Sequence, residues 1–209
     1  MRPYIFFDWD GTLADSSSLC VAHMIATYEE LGLGSFDPAW EKYCCGPTYL
    51  ESAVLLNIPA ERWAEYCQVR RRQEDLCIKD HSHLFPGVKE MLESLAQKAE
   101  LVIVSNGYPS YIAACLENAG VTHLFRHAES LVEGRSKTQA LTQVIQRFKP
   151  EKAIMVGDRK GDILAGKANG LPTLCACYGC DAPEEWALAD LQAFSVCQLR
   201  EQLELFLNQ

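Results

Sequence analysis

The chain has 209 residues, enough to bury a full core and carry an insertion beside it. Its 48% apolar and 22% charged content is that of an ordinary globular protein, and no apolar run has the length of a membrane span. The net charge of −9 argues against a surface for nucleic acid polymers, while leaving room for a small phosphorylated ligand held by a few local cations and a metal.

Met1-Arg2-Pro3-Tyr4 lacks the apolar stretch and small-residue cleavage site of a secretory signal, so the expectation is a cytoplasmic protein. Ile5-Phe6-Phe7 then predicts a strand running into Asp8-Trp9-Asp10-Gly11-Thr12. A buried strand has no packing reason to finish on two acids. Such a pair can hold a divalent cation or divide nucleophilic and acid/base work. Gly11 lets the backbone turn sharply where a ligand approaches.

Residues 16–80 read as helical. Leu19, Met24, Ile25, Tyr28 and Leu31 suit an amphipathic helix ending at Gly32-Leu33-Gly34. Cys44-Cys45-Gly46-Pro47-Thr48 is a turn signal, and residues 61–78 predict another helix behind Pro59. Arg70-Arg71-Arg72 on that helix is read as a solvated face in preference to an anion contact.

From Phe85-Pro86-Gly87 onward, helices and strands alternate. Helices are expected over 88–98, 111–119, 137–148 and 162–169, and strands over 101–104, 153–156 and 173–176, with a short element near 124–127. The tail offers a helix at 184–190, a weak strand at 194–196 and a last helix at 199–207. This alternation predicts an α/β fold with a doubly wound parallel sheet. The core would comprise residues 1–15 and 82–209, with 16–81 an inserted all-helical domain. Ligands of such sheets bind beyond the C-terminal strand ends, where an insertion after the first strand would serve as a lid.

Ten cysteines is a high number. Cys20, Cys67, Cys115 and Cys197 sit singly in apolar patterns, where cysteine acts as a small hydrophobe. Cys175, Cys177 and Cys180 form C-x-C-x-x-C, a spacing zinc can use. The first two fall in an expected strand and no second C-x-x-C follows, which favours packing.

Further polar residues stand at the ends of later strands. Leu101-Val102-Ile103-Val104 runs into Ser105-Asn106-Gly107, and Ala153-Ile154-Met155-Val156 into Gly157-Asp158-Arg159-Lys160-Gly161-Asp162. Gly134-Arg135-Ser136-Lys137 heads a helix between them. A serine and backbone N–H groups at a strand–helix turn suit a phosphate, and a lysine supplies a compact charge for its oxygens. Asp158 is a natural partner for Asp8 in binding a hard cation. Singly, each has an ordinary explanation as a helix cap, a first-turn acid or a solvated lysine. Their order and their common placement at strand ends give the set its meaning.

That set resembles the haloacid dehalogenase-like superfamily, in its phosphoglycolate-phosphatase-like group with a helical (C1-type) cap. The resemblance rests on Asp8-Trp9-Asp10-Gly11-Thr12, Ser105-Asn106, Lys137 and Gly157-Asp158-Arg159-Lys160-Gly161-Asp162, and covers nearly the whole chain. It implies a Rossmann-like core and a Mg²⁺-dependent phosphatase. Asp8 would be the nucleophile and form an aspartyl-phosphate, and Asp10 would be acid and then base. The metal would be held by Asp8, the Asp10 carbonyl and Asp158, with Asp162 in the outer shell or binding directly. Gly11, Ser105, Asn106 and Lys137 would hold the phosphoryl group, and Gly46, Pro47 and Thr48 would form the specificity loop of the cap. The implied substrate is a small phosphorylated metabolite such as phosphoglycolate, a nucleotide or a sugar phosphate. A dehalogenase would need neither Asp10 nor a metal. A phosphomutase or pyrophosphatase on this scaffold stays open, as does a non-catalytic phospho-ligand-binding or receiver-like signalling protein. Tyr178-Gly179-Cys180-Asp181 follows the last main strand and is expected to border the site, but it departs from the loop expected in this group, so no role attaches to it.

Overall fold

A computed structural model describes residues 2–44, 47–130, 135–180 and 182–209. The chain divides into two compact units: Met1–Asp15 with Leu84–Gln209, and Ser16–His83. The short strands β2 (Ala14–Asp15) and β3 (His83–Leu84) mark where the chain leaves and re-enters the first unit.

The first unit is built on one sheet. Among the described residues it contains β1 (Tyr4–Phe7), β4 (Glu100–Val104), β5 (Phe125–Glu129), β6 (Ala153–Gly157), β7 (Thr173–Ala176) and β8 (Leu191–Ala193). They lie in the order β5-β4-β1-β6-β7-β8, all parallel. The chain winds outward from β1 in both directions, so the sheet is doubly wound with its reversal at the centre. β1 is buried along its whole length, which explains its unbroken apolar sequence. Tyr4 and Phe6 pack with Val102, Val104, Met155 and the helix residues Leu141, Val144 and Ala165. Those last three come from α6 (Lys137–Phe148) and α7 (Lys160–Ala168). Helices α4 (Val88–Ala96) and α9 (Val196–Asn208) pack on each other and on β4 and β7.

The register brings three strand ends level. Phe7 stands opposite Ile103 on one side and Val156 on the other. The next residue of β1, Asp8, donates its N–H to the Val156 carbonyl at 2.9 Å. The loops after β1, β4 and β6 therefore leave the sheet side by side.

The tail differs from expectation. The last strand falls at Leu191–Ala193, ahead of the expected 194–196. Ser195 caps α9 by accepting the Gln198 N–H at 3.2 Å, so the chain is already helical at Val196. Helix α8 spans only Pro183–Trp186. Cys197, expected to be a buried hydrophobe, is exposed, whereas Cys20 and Cys115 are buried. No helix among the described residues is long and apolar enough to cross a membrane.

The second unit is helical: α1 (Ser17–Leu31), α2 (Tyr49–Leu55) and α3 (Trp63–His81), with two short 3₁₀ turns at Pro38–Tyr43 and Ala60–Arg62. Gly32 closes α1 in the left-handed conformation, at φ 63°. α2, which the sequence reading did not anticipate, is started by a capping box: Thr48 and Glu51 each bond the other's backbone N–H. Its core gathers Met24, Tyr28, Phe36, Ala53, Tyr66 and Val69.

The arginine run splits across the surface of α3. Arg71 and Arg72 are exposed, but Arg70 is only 2% exposed, against the expectation of a solvated face. Its guanidinium donates to the Cys44 carbonyl at 2.8 Å and lies 4.3 Å from the Tyr49 ring centroid. Glu74, one turn on, accepts from the Tyr49 hydroxyl and stands 3.7 Å from His23 Nε2. Burial, then the Arg70 charge, holds the His23 imidazole well below its ordinary pKa, so Arg70 is the cation that balances Glu74. Tertiary position decided this: successive helix residues point about 100° apart, so the packing of α3 sets which of the three arginines faces inward. Arg70→Met should leave Glu74 buried without that cation and cost about 3–5 kcal/mol, read as a lower urea midpoint.

Candidate active site

The acids expected at the strand ends do come together. Asp8, Asp158 and Asp162 each offer a carboxylate oxygen within a 4.8 Å cluster. They are 7%, 4% and 1% exposed, so three acids share a site nearly closed to water. Lys137, the first residue of α6, reaches in between them. Its Nζ is 2.9 Å from Asp8 Oδ1 and also bonds Asp162. A capping box places it there: Ser136 accepts the Gln139 N–H, and the Gln139 side chain accepts the Ser136 N–H.

The local backbone is shaped for this crowding. Gly11 has φ 72°, and a Cβ there would overlap the Asp158 carboxylate. At Gly157 a Cβ would overlap Asp162. Asp162 also reaches back to the start of its own helix, accepting the Arg159 N–H at 3.0 Å. Thr12 donates to Asp158 Oδ1 at 3.2 Å.

Electrostatics follow from that geometry. Burial, then repulsion from Asp162, pushes the Asp8 carboxyl up to about 7, with Lys137 opposing. Asp158 is raised well above its ordinary value, by burial first and then by Asp162 and Asp8. Lys137 is raised too: its two acid partners outweigh its own burial. With all three carboxylates ionised, one lysine would leave negative charge uncompensated. That deficit and the all-oxygen donor set fit a hard divalent cation. Among the described residues no other cluster of three such donors occurs, and Cys175, Cys177 and Cys180 do not form one.

The remaining expected residues are placed as follows. Asp10 is half-buried, and its Oδ1 accepts from Tyr111 at 2.5 Å. Ser105 is 4% exposed, its N–H on the Glu129 carbonyl and its Oγ accepting the Gly107 N–H at 3.1 Å. Asn106 is half-buried beside it. Gly46 and Gly134 lie outside the described residues, while Pro47 and Thr48 lead into α2 of the helical unit. Three further residues contribute: Tyr111, and Tyr178 and Gly179 from the segment expected to border the site without a role. Tyr111 holds Asp10, the Tyr178 hydroxyl donates to the Thr12 carbonyl at 2.8 Å, and Gly179 packs so close to the Gly11 carbonyl that a Cβ would overlap it. Tyr178-Gly179 had a signal, since it follows a strand on the same side of the sheet. Nothing in the sequence marked Tyr111.

A doubly wound sheet with paired acids, a lysine and a hydroxyl at its strand ends is equipped to handle a phosphoryl group. Residues 5–176 match the haloacid dehalogenase-like hydrolase family, and the chain belongs to it. Phosphoglycolate phosphatase of Chromobacterium violaceum is 30% identical, with 93% of each chain covered. That of Synechococcus elongatus is 29% identical over 84% of each. A haloacid dehalogenase-like family hydrolase from Streptococcus pneumoniae superposes with a TM-score of 0.85 at 27% identity, covering 97% of both chains.

The raised carboxyls make the metal-free protein pH-sensitive. Folded Asp8 binds its proton up to about 7, and the unfolded carboxyl only to 3.8, so this site's contribution is fully present below pH 3.8 and lost as pH rises through 7. Asp158→Asn removes one repelling charge. In EDTA at pH 7.5 its Tm should exceed that of wild type, and any Tm rise that a divalent cation gives the wild type should disappear.

Proposed function

We propose that this protein is a Mg²⁺-dependent phosphatase that hydrolyses a small phosphomonoester through an aspartyl-phosphate on Asp8. The observation that carries the reading is the buried Asp8, held by Lys137 beside Asp158 and Asp162 at the centre of the sheet. A passive cation site would not need a lysine bonded to two of its acids.

In this reading Asp8, Asp158 and the Asp10 main-chain carbonyl would hold the metal, with Asp162 supporting it directly or from the outer shell. When bound, Mg²⁺ would offset the repulsion between these acids and the phosphoryl oxygens. Lys137 orients the Asp8 carboxylate for attack on phosphorus and shares the charge of the oxygens. Ser105 and Asn106 offer hydroxyl and backbone donors to the phosphoryl group, whereas the Gly11 N–H is given to the Ala14 carbonyl at 2.9 Å, so Gly11 serves by letting the chain approach. As the ester P–O bond breaks, Asp10 gives its proton to the departing alcohol. It then takes a proton from water, whose oxygen attacks phosphorus and frees Asp8. Each role of Asp10 prepares the next.

We assign residues 16–81 the choice of leaving group, through Pro47, Thr48 and Gly46. The named activity of the relatives puts 2-phosphoglycolate first among substrates to try, ahead of nucleotides and sugar phosphates. Asp8→Asn should lower turnover by more than about 1000-fold on every ester of such a panel, because nothing else supplies the nucleophile. Turnover equal to wild type would overturn the covalent route. Asp10→Asn should retain Mg²⁺ binding and lose most on alkyl phosphates, whose alkoxides need the proton. Equal losses on alkyl and aryl phosphates would remove the acid role.

A further inference from the structure

Tyr111 is buried, at 4% exposure, in the first turn of α5 (Pro109–Asn118). Its hydroxyl meets Asp10 Oδ1 at 2.5 Å, across 101 residues of sequence. We propose that Tyr111 is a positioning residue that holds the Asp10 carboxyl in its working orientation; this rests on the acid/base reading of Asp10.

The argument begins from donor and acceptor capacity. A phenol keeps its proton near neutral pH, so Tyr111 donates. A carboxyl oxygen can accept that bond whether Asp10 is ionised or carries a proton on its other oxygen. Tyr111 therefore occupies Oδ1 in both states and confines the exchangeable proton to Oδ2. An unrestrained carboxyl would present either oxygen, through two rotamers, to the leaving group. Removing that freedom before reaction is the effect expected of preorganisation.

A second observation ties the tyrosine to the phosphate loop. A Cβ on Gly107 would come within 2.7 Å of Tyr111 Cδ1 and 2.9 Å of Ile112 Cδ1. Only glycine at 107 lets the ring lie against the turn that carries Ser105 and Asn106. The same ring thus registers the loop after β4 to the acid after β1.

The test uses the full chain with Mg²⁺ and the Tyr111→Phe variant. The substrates are glycerol 2-phosphate and p-nitrophenyl phosphate. The expected result is a kcat on glycerol 2-phosphate lowered about 10- to 100-fold, with KM within about 2-fold of wild type. First-turnover release of p-nitrophenolate, which needs no acid, should stay within about 3-fold. Wild-type kcat on both esters, equal losses on both, or a raised KM with unchanged kcat would overturn the proposal. Should the variant not fold, 3-fluorotyrosine at 111 keeps the shape and sharpens the donor. It must then change the glycerol 2-phosphate kcat without moving KM, and an unchanged kcat overturns the proposal. Asp10→Asn separates the two readings. If it turns over normally, the acid/base reading and this inference fall together. If it is impaired while Tyr111→Phe is not, only this inference falls.

Discussion

Everything in the core unit converges on one lysine among three buried acids. Lys137 bonds Asp8 and Asp162, and Asp158 lies within the same cluster. Such a grouping is unfavourable by itself, since burial and mutual repulsion both oppose ionisation. It persists because the surroundings hold it. The capping box fixes the head of α6, Asp162 closes the start of α7, and Thr12 bonds Asp158. The charge that gathers when these acids ionise is what a bound divalent cation would offset. Stability is given up at the place where chemistry needs it.

The sheet makes that crowding possible. Parallel strands β4, β1 and β6 are neighbours at the point where the winding reverses, and their register sets Asp8, Ser105 and Asp158 one or two residues beyond matching positions. Loops that leave side by side can share one pocket only if their backbones approach closely. Gly11, Gly157 and Gly179 provide that approach, each where a methyl group would overlap a neighbour. The glycines in these motifs are therefore part of the electrostatics, because they set how near the carboxylates stand.

The helical unit follows a different logic. Its core buries Arg70, Glu74 and His23, joined through Tyr49, Tyr66 and the Cys44 carbonyl, together with the smaller polar side chains of Thr27 and Ser52. Charged groups this deep contribute little net stability but penalise alternative packings, since any shift would leave one of them unpaired. The residues that lead into α2, Pro47 and Thr48, adjoin this network through Tyr49. A rigid support for that segment is what a specificity role would require.

The alternation of strands and helices, the acids at the end of β1, the second acid group after β6 and the lysine heading α6 were all legible in the sequence. Each is a local pattern: a period of two or of 3.6, or a polar residue where packing gives no reason for one. Arg70 was misread because its burial depends on distant segments such as Cys44 and Tyr49, whereas α2 and the start of α9 carry local capping signals, Thr48 with Glu51 and Ser195 with Gln198, that compete with the patterns read there. The bonds made by the partners of the site were hidden, although Tyr178 follows a strand on the site's side of the sheet. Tyr111 reaches Asp10 across 101 residues, and Tyr178 reaches Thr12 across 166. The sequence by itself determined which groups could do the chemistry, since their identity and their place at strand ends are written along the chain. Only the tertiary structure decided how each is oriented and how strongly its charge is felt, because hydrogen bonding, desolvation and repulsion act through distances that folding alone creates.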